Sequence, residues 1–465
     1  MKMTVIEIAE LIKAEIIGGE AFLRKAVSGI SIDSRTISSN ELFFGIRGEN
    51  FNGGDFAEQA YKKGAAAVVI DKEHQSKLHS LSEMLVVDDT TVALQRLASS
   101  LRKNMSRLKV IGITGSSGKT TTKEMTYALL KDSFKASKTE GNLNNLYGLP
   151  LCLCRLSGDE EVFVAEMGMS FAGELTRLTE IADPEIGVLL NVNPVHTINF
   201  DSIEDLANAK AELFENMRKD GTVIFNLDNE FSGRIGNRYP GRKITYGIKQ
   251  SGTLTAKNVE FNGFDSTDIT LQVEGREYPL TIPHFGLGNV YNFLAAASVA
   301  FALDVDPQDY GRRIKKMAYA AGRGNVYKLR ENIIVLDDSY NSNPVAMEML
   351  LGFLERYRAD GRKVVVAGDM LELGRRELEE HFRIGQIVAK SDIDLFITVG
   401  RLSKKMIEGA LDEGMKQQSV LHFDDSEEAA QRISELIEEN DLVLVKGSHG
   451  VHTEMIVEKL KKSFE

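Results

Sequence analysis

The chain has no tryptophan, two cysteines and eight prolines in 465 residues. Two cysteines, Cys152 and Cys154, exclude a disulfide framework, and a lone C-x-C without a second pair is not a zinc site. They read as buried thiols. So few prolines leave no proline-rich or collagen-like tract. Long apolar runs are absent too: stretches such as Ala65–Ile70 are far too short to span a bilayer. A basic excess is lacking, with 56 Lys and Arg against 68 Asp and Glu, a net charge of −12. This excludes a general binder of nucleic acid or anionic membranes and leaves room for a local basic pocket for a small anion. The first twenty residues carry Glu7, Glu10 and Glu15, which does not fit a secretory signal, so a cytoplasmic protein is expected. The missing tryptophan decides nothing.

What is present is ordinary for a globular chain: 43% hydrophobic and 27% charged residues. At about 150 residues per domain, the length suggests roughly three domains. Residues 1–104 read as a small α/β unit: helix 4–14, strands at 28–32, 41–46, 65–70 and 84–87, and helix 90–103. Residues 105–318 begin with the buried strand 108–113. Strands at 162–165, 187–191 and 222–226 alternate with helical patterns, as in a doubly wound parallel sheet. Segments 243–246, 253–260, 268–273 and 278–282 read as antiparallel strands, closed by a helix over 289–303. Residues 319–465 form another α/β unit, with strands at 333–336, 363–367, 395–399, 420–423 and 442–445.

The sharpest local pattern is Gly115-Ser-Ser-Gly118-Lys119-Thr120-Thr121, following a strand and opening a helix. Small residues let backbone N–H groups approach a polyphosphate, and a helix N-terminus favours negative charge. Lys119 would reach the β and γ phosphates of ATP, and the Thr120 hydroxyl would bind Mg²⁺. The loop is shorter than the usual phosphate loop, whose first glycine would stand at Ile113.

Glu166 and His196 follow predicted strand ends, where parallel sheets place their ligand sites. A carboxylate and an imidazole there suit a metal, although imidazole is unusual for Mg²⁺. Lys210 falls in the apolar stripe of a helix that Ser202 can cap. A lysine there either snorkels to the surface or is buried and loses its charge.

These blocks, with Gly141-Asn-Leu-Asn-Asn145, Asp338-Ser-Tyr-Asn-Ser-Asn-Pro344, Gly368-Asp-Met-Leu-Glu-Leu-Gly374 and Leu444-Val-Lys-Gly-Ser448, resemble the Mur ligase family over essentially the whole chain. Their form looks like the branch that adds D-Ala-D-Ala to UDP-N-acetylmuramoyl-tripeptide. The resemblance implies three domains that hold the UDP part of the acid, ATP, and the amine. It implies ATP-dependent amide formation through an acyl phosphate. It assigns Lys119, Glu166, His196 and Lys210 to catalysis. Thr120 and Glu166 would hold one Mg²⁺, and His196 with a carbamylated Lys210 the other. Gly115, Ser116, Ser117, Gly118, Lys119, Thr120, Thr121, Asn289, Asn292, Arg323 and Asp338 would contact ATP. Ser31, Asp33, Ser34, Arg35, Asn142, Asn144, Asn145, Tyr340, Asn341, Asn343, Lys446 and Ser448 would contact the acid or the amine. A monomer with small-molecule partners is expected, without nucleic acid or a transmembrane segment.

Three positions depart from the family pattern. Gly288 stands where H-N-x-x-N has histidine, His449 stands for the arginine of K-G-S-R-G, and Asp201 stands for the glycine of F-G-S. Histidine cannot reproduce the bidentate fork of arginine on a carboxylate. Alternatives are a related ligase for another acid or amine, such as a folate polyglutamylating enzyme, a nucleotide switch, and an inactive binding homologue. The Asp33-Ser-Arg35 block opposes the folate branch. A switch needs no amine-binding third unit. The intact set Lys119, Thr120, Glu166, His196 and Lys210 opposes an inactive homologue.

Overall fold

The computed structural model describes residues 3–48, 51–78, 81–193, 199–317 and 321–465. Three main α/β sheets follow one another along the chain. The first has five strands in the order Glu15–Ile17, Met84–Val87, Ala67–Asp71, Glu41–Phe44 and Gly29–Ser31. Only the pairing of Glu15–Ile17 with Met84–Val87 is antiparallel. The second runs Arg276–Ile282, Ser266–Val273, Leu254–Asn262, Arg242–Gly247, Thr222–Asn226, Ile186–Leu189, Lys109–Thr114, Val162–Glu166 and Ala136–Lys138. The third runs Asn325–Lys328, Ile334–Asp338, Leu442–Lys446, Lys363–Gly368, Leu395–Val399 and Val420–Phe423, with only the first pairing antiparallel.

The central strands are apolar on both sides because helices cover both faces of the sheet. One expectation is corrected. Segment 243–246, read as antiparallel, belongs to Arg242–Gly247 and pairs parallel with Thr222–Asn226, because helix Glu230–Arg238 carries the chain back across the sheet. It also pairs parallel with the start of Leu254–Asn262, and only the two pairings among the last three strands are antiparallel. The edge strand Ala136–Lys138 is too short and polar to show in the sequence. Strand Ile334–Asp338 runs two residues past its expected end, which brings Asp338 into register with Lys446.

Helix Thr90–Asn104 joins the first two units. Leu94 and Leu97 share one apolar core with Val5 and Ile8 on one side and with Leu151, Phe163 and Leu178 on the other. Arg102 seals the joint. It is nearly buried and donates to the carbonyls of Ala182 (2.9 Å) and Asp183 (3.1 Å), at the end of helix Glu174–Ala182, and to Glu185 (2.8 Å). A cation there meets the negative end of the helix. The opposite face of the central sheet packs helix Leu287–Ala302. The third unit meets the second through aromatic rings. Phe264 and Phe285 enter its core and contact Phe353 at ring-centroid distances of 5.1 and 5.0 Å. Cys152 and Cys154 are buried free thiols, as expected.

His284 and His381 are both buried. Burial pushes the His284 imidazole down to about 4 and lowers that of His381. His381 donates to the Glu377 carbonyl and accepts from the Met370 N–H, a neutral arrangement. Both are neutral in the fold, whereas the unfolded chain takes up protons near 6.5. Stability from these groups is therefore complete above pH 6.5 and is lost as pH falls toward 4, by roughly 3 kcal/mol for His284. Urea unfolding between pH 7.5 and 4.5 checks this. His284→Asn is expected to flatten the slope relative to the parent, and an unchanged slope refutes it.

Candidate active site

Strand Lys109–Thr114 is the switch point of the central sheet. Val162–Glu166 lies on one side and Ile186–Leu189 on the other. In such sheets the crevice opens beyond the carboxyl ends of the strands. The chain leaves Thr114 through the glycine loop into helix Lys119–Leu130. Gly118 has φ of 84°, and a Cβ there would lie 2.2 Å from Asn292 Oδ1, so only glycine fits. The loop is clamped from the next strand. Asn191 Oδ1 accepts from the Ser117 N–H at 3.0 Å, and the Ser116 hydroxyl donates to the Asn193 carbonyl at 3.0 Å. Lys119 folds back onto the Gly115 carbonyl at 2.8 Å. Burial pushes its ammonium down, Glu166 pulls it back up, and Arg323 pushes it down further.

Glu166 ends its strand at 2% exposure. Its Oε1 accepts from the Thr120 hydroxyl at 3.2 Å and from Asn144 Nδ2 at 2.9 Å. Its Oε2 is buried without a hydrogen bond and lies 3.4 Å from Lys123 Nζ. A buried carboxylate beside a hydroxyl is the hard-oxygen set that Mg²⁺ takes, so Thr120 and Glu166 fit that ion. Lys210 stands on helix Ile203–Glu215, capped by Ser202 as expected, and is 4% exposed rather than snorkelling. Burial, and then the like charge of Lys119, hold its ammonium well below the usual lysine range. His196 lies outside the described residues.

The opposite wall comes from the third unit. Arg323 lies over the Tyr340 ring, 4.1 Å from its centroid, and the His449 ring stacks on the same tyrosine at 5.1 Å. Lys446, 2% exposed, donates to the Asp338 carboxylate and to the Asn341 carbonyl, the latter at 2.8 Å. The two walls enclose a crevice of about 760 Å³. It is lined by Ser116 to Thr121, Asn142, Asn144, Glu166, Asn289, Asn292, Arg323, Asp338, Tyr340, Asn341, Asn343 and Lys446.

Other expected residues are engaged elsewhere. Asn145 accepts from the Gly148 N–H at 2.9 Å, at the first residue of helix Gly148–Cys154. Asn343 lines the crevice, but its side chain caps helix Pro344–Arg356. The Ser448 hydroxyl accepts from the Leu371 N–H at 2.9 Å. Ser31, Asp33, Ser34 and Arg35 sit on the first unit, outside this crevice. Arg35 pairs with Asp33 at 2.8 Å, and the Ser34 hydroxyl donates to Gln59 at 2.8 Å. At Gly288, a Cβ would meet only the Met349 methyl, at 3.4 Å. Asp201 is exposed.

Sequence reasoning missed Asn191 and Asn193, although two asparagines just past a strand end were a usable signal. It also missed Lys123 and Asp228. Asp228 lines the crevice, accepts from the N–H groups of Ile248, Lys249 and Gln250, and takes the Tyr291 hydroxyl at 2.9 Å. That contact, after burial, raises the Tyr291 phenol.

Comparison with known proteins gives a consistent result. The Mur ligase middle domain matches residues 113–300, the Mur ligase glutamate ligase domain residues 322–449, and the Mur ligase family catalytic domain residues 26–110. The chain is 32% identical over 463 residues to the UDP-N-acetylmuramoyl-tripeptide–D-alanyl-D-alanine ligase of Bacillus subtilis, covering 100% of this chain and 99% of that one. Against the Escherichia coli ligase of the same name it is 30% identical over 469 residues, covering 100% and 99%. Among solved structures, MurF from Acinetobacter baumannii superposes with a TM-score of 0.88 at 27% identity, covering 99% of each chain. MurF ligase from Thermotoga maritima in complex with ADP superposes at 0.80 with 28% identity, covering 94% of this chain and 97% of that one.

Proposed function

The chain belongs to the Mur ligase family, and we propose on that premise that it joins D-Ala-D-Ala to UDP-N-acetylmuramoyl-tripeptide at the expense of ATP. It is an ATP-dependent ligase that forms an amide bond in the making of peptidoglycan precursor. One observation carries its assignment to this crevice: the glycine loop with Glu166 faces Arg323, Asp338 and Lys446 across a single cavity. ATP on the loop wall and an amine on the other wall would meet there.

The acid's carboxylate oxygen attacks the γ-phosphorus, and the bond to ADP breaks. The amine nitrogen then attacks the acyl carbon, phosphate leaves, and the nitrogen gives up a proton. Carboxylate and triphosphate repel each other, so the site must gather positive charge. Lys119, released from the Gly115 carbonyl, supplies part of it. Mg²⁺ held by Thr120 and Glu166 would supply further positive charge against the phosphates. A carbamylated Lys210 with His196 would serve a second ion. Asn289 and Asn292 would contact the base, and Arg323 and Asp338 the ribose and phosphates. Asn142 and Asn144 would order the acid, while Tyr340, Asn341 and Lys446 would border the amine. Residues 1–104, 105–318 and 319–465 would hold the UDP part, ATP and the amine in turn, with Ser31 to Arg35 on the UDP side. No described helix is long and apolar enough to cross a membrane. A cytoplasmic enzyme accords with the use of ATP and a UDP-linked substrate.

Phosphate release with ATP, Mg²⁺ and the UDP-tripeptide, with and without D-Ala-D-Ala, tests this function. Dipeptide-dependent release with the pentapeptide product seen by mass is expected. Release that ignores the dipeptide refutes the amine assignment and leaves His449 as the first place to look.

A further inference from the structure

Lys123 follows Lys119 by one helical turn and is 1% exposed. An ammonium buried this deeply needs partners. It donates to the Gly141 carbonyl at 3.2 Å and lies 3.4 Å from Glu166 Oε2 and 3.6 Å from Glu124 Oε1. Glu124 in turn pairs with Lys138, whose ammonium lies over the Tyr127 ring at 4.7 Å. The Glu166 N–H is fixed by the Thr139 hydroxyl at 3.0 Å, just past the strand carrying Lys138. The result is a line of alternating charges, Glu166, Lys123, Glu124 and Lys138, running from the crevice through the buried Lys123 to the part-exposed Lys138.

The two oxygens of Glu166 are therefore unequal. Oε1 stands with Thr120 and Asn144, both of which line the crevice. Oε2 is turned to a fully buried ammonium that does not line it. A carboxylate free to rotate can present both oxygens, the mode that large, flexible Ca²⁺ shells use. Mg²⁺ demands a small octahedral shell, which one oxygen per carboxylate suits.

We propose that Lys123 is a positioning residue that holds back one oxygen of Glu166, so that the site selects a small octahedral cation over Ca²⁺. This rests on the proposed role of Glu166 as a metal ligand. By holding the Gly141 carbonyl, the same ammonium also ties this carboxylate to the loop that carries Asn142 and Asn144.

The test is competition of Ca²⁺ against Mn²⁺ on the full chain with ATP, with free Mn²⁺ read by electron paramagnetic resonance. No acid or amine is added. Removing a buried positive charge tightens both cations, and the ratio cancels that effect. Lys123→Met is expected to shift the ratio toward Ca²⁺ by about tenfold. Lys123→Gln, which can still donate to the Gly141 carbonyl, is expected to do the same and carries the test if the methionine variant does not fold. Lys123→Arg keeps a cation on Oε2 and is expected to restore the parent ratio. A ratio within threefold of the parent in the folded neutral variants overturns the proposal. Glu166→Gln separates the two ideas: if it leaves Mn²⁺ binding intact, the metal role of Glu166 fails, and if it abolishes binding while the Lys123 variants keep the parent ratio, only the role of Lys123 fails.

Discussion

Lys210→Ala is expected to lower kcat about 10³-fold, the scale of losing a preorganised charge at a phosphoryl-transfer centre. The fold should survive, because the lysine is 4% exposed on a helix whose buried residues are otherwise apolar. Deleting it removes a costly burial rather than a packing contact that others depend on. Its ammonium is held well below the ordinary range by burial and by Lys119, which leaves a nucleophilic amine. Such an amine adds to the carbon of CO₂, forms an N–C bond and releases a proton. The carbamate would place a negative charge near Lys119 where an ammonium would be a like charge, so attraction would stand in place of repulsion. Two readouts check this beyond activity. Protein equilibrated with ¹³C-bicarbonate should show a carbamate carbon resonance that the alanine variant lacks. Acetate or formate should restore part of the variant's turnover. Parent-like activity in Lys210→Ala would remove the residue from the mechanism, and absence of the resonance in the active parent would remove the carbamate.

The second large effect is expected at Lys446→Met. Lys446 ends a central strand of the third sheet beside Asp338, the last residue of its neighbour. Breaking a buried ion pair by removing one partner costs about 3–5 kcal/mol, because the remaining charge loses its counter-ion. Asp338 is 24% exposed, so water recovers part of this, and a loss near 3 kcal/mol is expected. The Asn341 carbonyl loses its donor as well, so the turn bearing Tyr340 and Asn341 loosens. Turnover at saturating ATP should fall about 10²-fold as the wall facing the glycine loop loses its geometry. Urea unfolding and steady-state kinetics measure both. The double variant with Asp338→Asn should be more stable than the sum of the single losses allows, and strict additivity would show that the pair is not coupled.

Much of the site was legible because parallel sheets present their ligands at strand ends. Glu166 could be found by asking which polar residue ends an apolar strand, whereas Asp338 and Lys446 came from the family resemblance, because the strand that ends at Asp338 runs two residues past its expected end. Side-chain direction was harder. Asn145 and Asn343 belong to the residue types that recognise substrates, and the same types start helices. Asn343 before Pro344 is a capping signature, and the structure uses it so. The parallel pairing of Arg242–Gly247 was hidden because pairing direction depends on the connection, not on the strand's own residues. The aromatic junction could not be read at all. Phe261, Phe264, Phe285, Phe353 and Tyr357 are scattered along the chain with no period linking them, and only the packed structure brings them together. Lys123 was readable as the residue one turn beyond Lys119, but its buried partner Glu166 arrives from a later strand, Val162–Glu166.

The continuous core through helix Thr90–Asn104 has a mechanical consequence. With Leu94 and Leu97 packed into both of the first two sheets and Arg102 bound to the helix beside them, a pull on the first unit is transmitted to the second. The third unit is held instead by a patch of rings and by ion pairs such as Lys328–Asp265. The molecule therefore has one stiff joint and one yielding joint. The yielding joint borders the crevice, since Phe261, Phe285 and Phe353 line it. Strain applied there changes the spacing of the two walls of the crevice, whereas strain at the stiff joint moves the first two units together.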